Sequence, residues 1–110
     1  MNTYNEFHGD MQVTDIGKRL REIAKREASF KIMTGYGSSS GKCRSKKAAL
    51  NSLKKMRQEG LIAAYIPGEK VTELIADSND PYRDVKSRYN DILRKDRDAG
   101  NDGVIFVFVK

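Results

Sequence analysis

The sequence predicts an α/β domain, a small two-layer sandwich made of a βαβα unit followed by further strands and one extra helix. Three observations carry that prediction. Short β-branched and aromatic runs alternate along the chain with segments whose apolar residues recur at helical spacing. The last run, Gly103 to Val109, is almost continuously apolar and reads as a strand buried on both faces. A length of 110 residues suits one domain, 1–110, with one core. Strands alternating with helices imply layered packing, with right-handed crossovers joining the first strands.

Asn2–His8 reads as a short strand. A helix follows from about Thr14 to Glu27, where Val13, Ile16, Leu20, Ile23 and Ala24 fall on one side. Phe30–Thr34 is a second strand, Gly35–Gly41 a loop, and Cys43–Glu59 a second helix stopped by Gly60 at the C′ position. Leu61–Ile66 gives a third strand, closed by a Pro67-Gly68 turn. Val71, Leu74 and Ile75 suit one helical turn before Asp77-Ser-Asn-Asp-Pro breaks it, and Tyr82, Val85, Tyr89, Ile92 and Leu93 resume helical spacing. Phe30, Tyr82 and Tyr89 are expected in the core.

No apolar run approaches the roughly 20 residues that span a bilayer. The start of the chain has neither a basic cluster nor an apolar stretch, which reads as cytoplasmic with no membrane partner. One cysteine, Cys43, and one histidine, His8, offer no zinc spacing. Cys43 reads as a small buried residue near a helix start. A divalent cation could rest only on Glu6 and Asp10, two scattered carboxylates, so the cofactor is left unassigned.

The net charge of +6 is localised: residues 1–40, 41–60 and 61–110 carry +1, +6 and −1. The excess starts inside IMTGYGSSSGKCRSKKAALNSLKKM, residues 32 to 56. A Walker loop would need glycine where Tyr36 stands and a hydroxyl where Cys43 stands, and a dinucleotide fingerprint begun at Gly35 and Gly37 meets Ser40. What survives is a general anion cradle, since glycines let backbone N–H groups approach an anion and a helix N-terminus points free N–H groups at it. The candidate phosphate-binding residues are Gly35, Tyr36, Gly37, Ser38, Ser39, Gly41, Lys42, Arg44, Lys46 and Lys47. Tyr36 could also stack on an unpaired base. In the helix that follows, Ala49, Leu50, Leu53 and Met56 form the apolar side, opposite Arg44, Lys47, Lys54 and Lys55. Basic side chains in a first turn oppose the helix dipole by a few tenths of a kcal/mol or more each. A bound polyanion accounts for them better than stability does.

His8-Gly9 after a first strand, TGYGSSSGK after a second, an alanine-bearing basic helix and a final GNDGVIFVFVK strand resemble the small MutS-related (Smr) domain along almost the whole chain. The resemblance implies a fold similar to the C-terminal domain of translation initiation factor three. It implies nucleic-acid binding, to DNA or to RNA and the ribosome, with nicking or RNA-cleaving endonuclease activity in several members. Of the family's L-D-L-H-G motif the chain keeps His8 and Gly9, with Glu6 in the aspartate's place. Of H-G-x-G it keeps both glycines, with Thr34 in the histidine's place. His8 would act as general acid or base, oriented by Glu6 from the same face of the strand, while Lys42 and loop N–H groups hold the phosphate charge. Asp96, Asp98, Asn101 and Gly103 resemble the family's acidic, Asn/Gly-rich turn before the last strand. Two other readings stay open: a non-catalytic DNA-, RNA- or ribosome-binding module, and a protein-interaction domain whose basic patch meets an acidic partner.

Overall fold

The structure, a computed structural model, describes residues 1–7, 12–34, 44–73 and 79–110. These hold four strands and five helices in the order β1 (Asn2–Tyr4), α1 (Val13–Ala24), β2 (Ser29–Met33), α2 (Arg44–Gln58), β3 (Ala64–Pro67), α3 (Gly68–Thr72), α4 (Arg83–Arg88), α5 (Asn90–Lys95) and β4 (Val104–Phe108). The strands form one mixed sheet in the order β1-β2-β4-β3. β1 and β2 are parallel, with Asn2 opposite Phe30, while β4 lies antiparallel to both β2 and β3.

β4 decides the architecture. All five of its residues are buried, as its apolar run requires, because it sits between two strands and under cover on both faces. Ile105 and Val107 face one core, with Phe30 and Ile32 from β2, Ile16, Leu20 and Ile23 from α1, and Ala49, Leu53 and Met56 from α2. Val104, Phe106 and Phe108 face the other, with Val71, Val85 and Leu93 from α3, α4 and α5. The βαβα unit thus forms a sheet with α1 and α2 packed on one face, and the segment between β3 and β4 covers the second face.

The two long helices follow the apolar periodicity that predicts them. α1 presents Ile16, Leu20 and Ile23 at 0% exposure, and α2 presents Ala49, Leu53 and Met56 likewise. They meet at Gly17, where an added Cβ would lie 3.2 Å from the Ser52 hydroxyl. Gly60 ends α2 at φ +80°, and Leu61 N–H donates to the Met56 carbonyl at 2.9 Å, so the expected C′ glycine takes its left-handed role.

Several boundaries differ from the sequence reading, α1 ending at Ala24 rather than Glu27 among them. β1 stops at Tyr4, because Phe7 leaves the strand to reach 0% exposure in the α1–α2 core. β3 starts at Ala64 rather than Leu61, which is exposed. Pro67 ends β3 and Gly68 begins α3 in place of the expected turn, and α3 includes Val71, while Leu74 and Ile75 of the expected helical turn lie outside the described residues. The expected single helix from Tyr82 to Leu93 is two, broken at Tyr89 (φ −113°, ψ 21°), whose ring stacks on Phe108 with centroids 3.8 Å apart and planes at 6°. Phe30 is fully buried as expected, and Tyr82 and Tyr89 pack half-buried against the second core.

Gly68 is fixed by space. A Cβ there would stand 2.1 Å from the Asn101 carbonyl oxygen, a backbone atom that cannot swing away, and the Gly68 carbonyl accepts from Gly100 N–H at 2.9 Å. Gly68→Ala is expected to destabilise the protein by about 2–3 kcal/mol, as overpacking does. Gly17→Ala, which meets only a movable hydroxyl, should cost under about 1 kcal/mol by the same reasoning. Urea unfolding of the two variants checks the ranking.

Candidate nucleic-acid interface

The parallel pairing of β1 with β2, and the shared antiparallel pairing of β2 and β3 with β4, bring the carboxyl ends of three strands to one rim. α2 starts at that rim and β4 enters the sheet there. In open α/β sheets this is where ligands bind. Of the predicted site residues, His8, Gly35, Tyr36, Gly37, Ser38, Ser39, Gly41 and Lys42 lie outside the described residues, as do Asp10 and Cys43. Glu6, Lys46, Lys47 and the backbone of Arg44 lie within them.

Glu6 lies beyond the end of β1, so strand alternation does not set its direction. Its carboxylate accepts from Arg19 Nε at 3.0 Å, and Arg19 also reaches Glu22 at 3.2 Å. The hydrogen bond to Glu6 holds the Arg19 guanidinium above its ordinary pKa. The described partner of Glu6 is thus a cation on α1.

Arg44 opens α2, and no acidic residue stands in the first turn. Lys46 turns inward. Its Nζ donates to Glu69 Oε1 at 2.5 Å and to the Asp102 carbonyl at 3.0 Å, tying α2 to α3 and to the turn before β4. Glu69 Oε2 is enclosed without a hydrogen-bond partner among the described residues. Thr34, which ends β2 at the same rim, donates its N–H to the Gly103 carbonyl at 2.8 Å. Lys47 points outward. With Asn51, Lys54 and Lys55 it forms an exposed polar and basic strip on α2, and none of its lysines makes an ion pair among the described residues.

The sequence reading named Lys46 for phosphate but missed Glu69 and Asp102, which come to it from distant parts of the chain. It also missed Lys31, whose side chain is 6% exposed inside the sheet. Lys31 Nζ donates to Asp96 Oδ1 at 3.0 Å and to Asp98 Oδ2 at 2.7 Å. Burial alone would lower the lysine's pKa, but the bonds to Asp98 and Asp96 outweigh it and leave the ammonium above its ordinary value. The Lys31 hydrogen bond holds the Asp98 carboxyl below the usual carboxylate range, against the opposing effect of burial. A lysine between Phe30 and Ile32 in a strand beside β4 was the available signal. A strand covered on both faces can hold such a cation only if acids come to it.

Among the described residues, no group of three or more histidine, cysteine, aspartate or glutamate side chains could hold a metal ion, and no helix is long and apolar enough to cross a membrane. No family model matches the chain, and comparison with curated proteins and with solved structures gave no match.

Removing the buried cation should leave two half-enclosed carboxylates facing apolar surface. Lys31→Met is expected to cost about 3–5 kcal/mol at neutral pH. The sign of the pH effect follows from Asp98. Its folded pKa lies below its unfolded one, so it stabilises the protein above the unfolded value near pH 4, and that contribution is lost as pH falls through the folded value. The variant should lose that part of the acid-limb slope. Urea unfolding of both proteins from pH 7 to pH 3 reads the cost and the slope together.

Proposed function

We propose that this chain is a nucleic-acid-binding domain of the Smr type, gripping phosphates with the outer face of α2 and the glycine-rich loop that leads into it. One observation carries the proposal. Lys47, Lys54 and Lys55 stand exposed and, among the described residues, without acidic partners, on a helix whose first turn carries no acid and which starts at the rim formed by the strand ends. A surface that favours folding alone would place aspartate or glutamate in that first turn. A polyanion reverses the preference, because each phosphate held releases condensed counterions. The sequence resemblance to the Smr domain supports the same partner and, through His8, endonuclease chemistry on it.

The test titrates the wild type and a Lys47→Gln/Lys54→Gln/Lys55→Gln variant with structured RNA and with nicked or branched DNA across salt concentrations. Removing three phosphate contacts should reduce the slope of log affinity against log salt by about 2–3. The melting temperature should stay near that of the wild type, since all three side chains are exposed. Wild-type protein that binds neither nucleic acid would overturn the proposal and favour an acidic protein partner. The same reactions, with and without magnesium, read for cleavage. Products that appear with the wild type and vanish with His8→Ala assign the nuclease, whereas retention without products assigns a binding-only module.

A further inference from the structure

We infer that the domain carries a second polyanion-binding surface on the opposite face of the sheet, formed by α4 and α5, and that it uses the two surfaces to hold two nucleic-acid segments at once. The inference rests on the proposed function for the class of ligand, but on different residues for the surface.

The starting point is the way the fold sorts charge. Residues 82–98 include Arg83, Lys86, Arg88, Arg94, Lys95 and Arg97 against Asp84, Asp91, Asp96 and Asp98, a modest excess when read along the chain. Lys31 changes the balance. It draws Asp96 and Asp98 inward to 15% and 14% side-chain exposure, leaving six basic groups facing two aspartates at the exterior of this segment. Arg83, Arg88, Arg94, Lys95 and Arg97 are exposed; among the described residues none makes an ion pair, although the Arg97 charge acts on Asp98 and helps to hold its carboxyl down. Lys86 donates to the Glu73 backbone carbonyl, and the nearby Glu73 carboxylate is held by Lys70 at 3.0 Å.

The surface also has shape. A hollow of about 470 Å³ runs between α3 and the α4–α5 pair, and Lys86, Asn90 and Arg94 line it beside Thr72 and Glu73. A second hollow, of about 340 Å³, is lined by Arg88, Tyr89, Asn90, Asp91 and Ile92. Asn90 lines both, so Lys86, Arg88 and Arg94 border one continuous surface. The break at Tyr89 gives it a relief that a single straight helix would lack. The Arg88 guanidinium lies 5.4 Å from the Tyr89 ring centre, and that ring is fixed by its stack on Phe108. The first hollow sets Lys86 and Arg94 against Glu73 over a largely apolar floor, and the second sets Arg88 beside Asp91; the cations at their edges suit phosphate, and the exposed Ile92, at 51% exposure, offers apolar contact to a base.

This surface cannot be an extension of the first. α2 packs on the core built around Ile105 and Val107, and α4 and α5 pack on the core built around Val104, Phe106 and Phe108, so the sheet lies between them. The shortest extent of the molecule is 25 Å, well beyond the screening length of about 8 Å at physiological salt. Each surface therefore attracts phosphate independently. A rigid duplex lying along one face does not reach the other.

The experiment mixes donor-labelled and acceptor-labelled short duplexes with substoichiometric protein and reads energy transfer and binding stoichiometry. The wild type should bring the labels together and bind two duplexes per chain. Arg88→Gln/Arg94→Gln/Lys95→Gln, all at exposed positions, should keep the circular dichroism of the wild type, bind one duplex and lose the transfer. Transfer and stoichiometry unchanged in that variant would overturn the inference, whether the bridging then came from α2 or from paired copies of the chain, and would leave the α2 surface standing. The reverse pattern separates the two claims. If the α2 lysine variant binds as the wild type does while the α4–α5 variant binds nothing, the α4–α5 surface stands, and the proposed α2 grip fails together with the holding of two segments at once.

Discussion

The structure depends on the burial of β4. Five consecutive apolar residues lie between β2 and β3 and alternate between two cores, so neither face of the sheet can be left to water. Each large side chain on the second face, Phe106 and Phe108 above all, contributes about 1.5–3 kcal/mol only if something covers it. That requirement accounts for α3, α4 and α5. Helices of five or six residues are not stable alone, since isolated helices shorter than about 12–15 residues are marginal in water. They form here because Val71, Val85 and Leu93 close the second core.

The same constraint reaches the rim through Lys31. β2 neighbours β4, and Lys31 pairs in register with Phe106, which puts its ammonium under the second cover. The acids that neutralise it stand in a short turn: Asp98 N–H donates to Asp96 Oδ1 at 2.9 Å, and Gly103 N–H to Asn101 Oδ1 at 2.9 Å. That turn then presents the Gly103 carbonyl to Thr34 and the Asp102 carbonyl to Lys46. A charge buried in the middle of the sheet thus sets the position of the backbone that frames the candidate binding rim. Breaking the ion cluster would disturb the rim without touching any of its own side chains.

How much of this the sequence shows follows from how local each cause is. α1, α2 and the Gly60 stop are legible because apolar spacing and a left-handed glycine act within a few residues. The burial of β4 is legible because every one of its residues is apolar. The break at Tyr89 is not, since helical spacing continues through it and the ring leaves the helix only to meet Phe108, a residue of β4. The shortened β1 is hidden for the same reason, as Phe7 answers to α1 and α2 rather than to its strand. At the site, the exposed lysines of α2 are legible from charge placement. The inward turn of Lys46 is not, because Glu69 and Asp102 lie 23 and 56 residues further along the chain.

Charge counted along the chain and charge presented by the surface are therefore different quantities in this protein. Two features of this charge distribution are not what local helix energetics or apolar packing favours. The first turn of α2 carries cations against its own dipole, and the sheet holds a lysine with two aspartates where an apolar side chain could pack on Phe106. A buried ion cluster pays a desolvation penalty that its internal attraction need not repay. Lys46 is neutralised by Glu69 while Lys47 stands exposed, and the ion cluster at Lys31 withdraws Asp96 and Asp98 from the exterior. Under the proposed function, a polyanionic partner would account for both features with one physical cause.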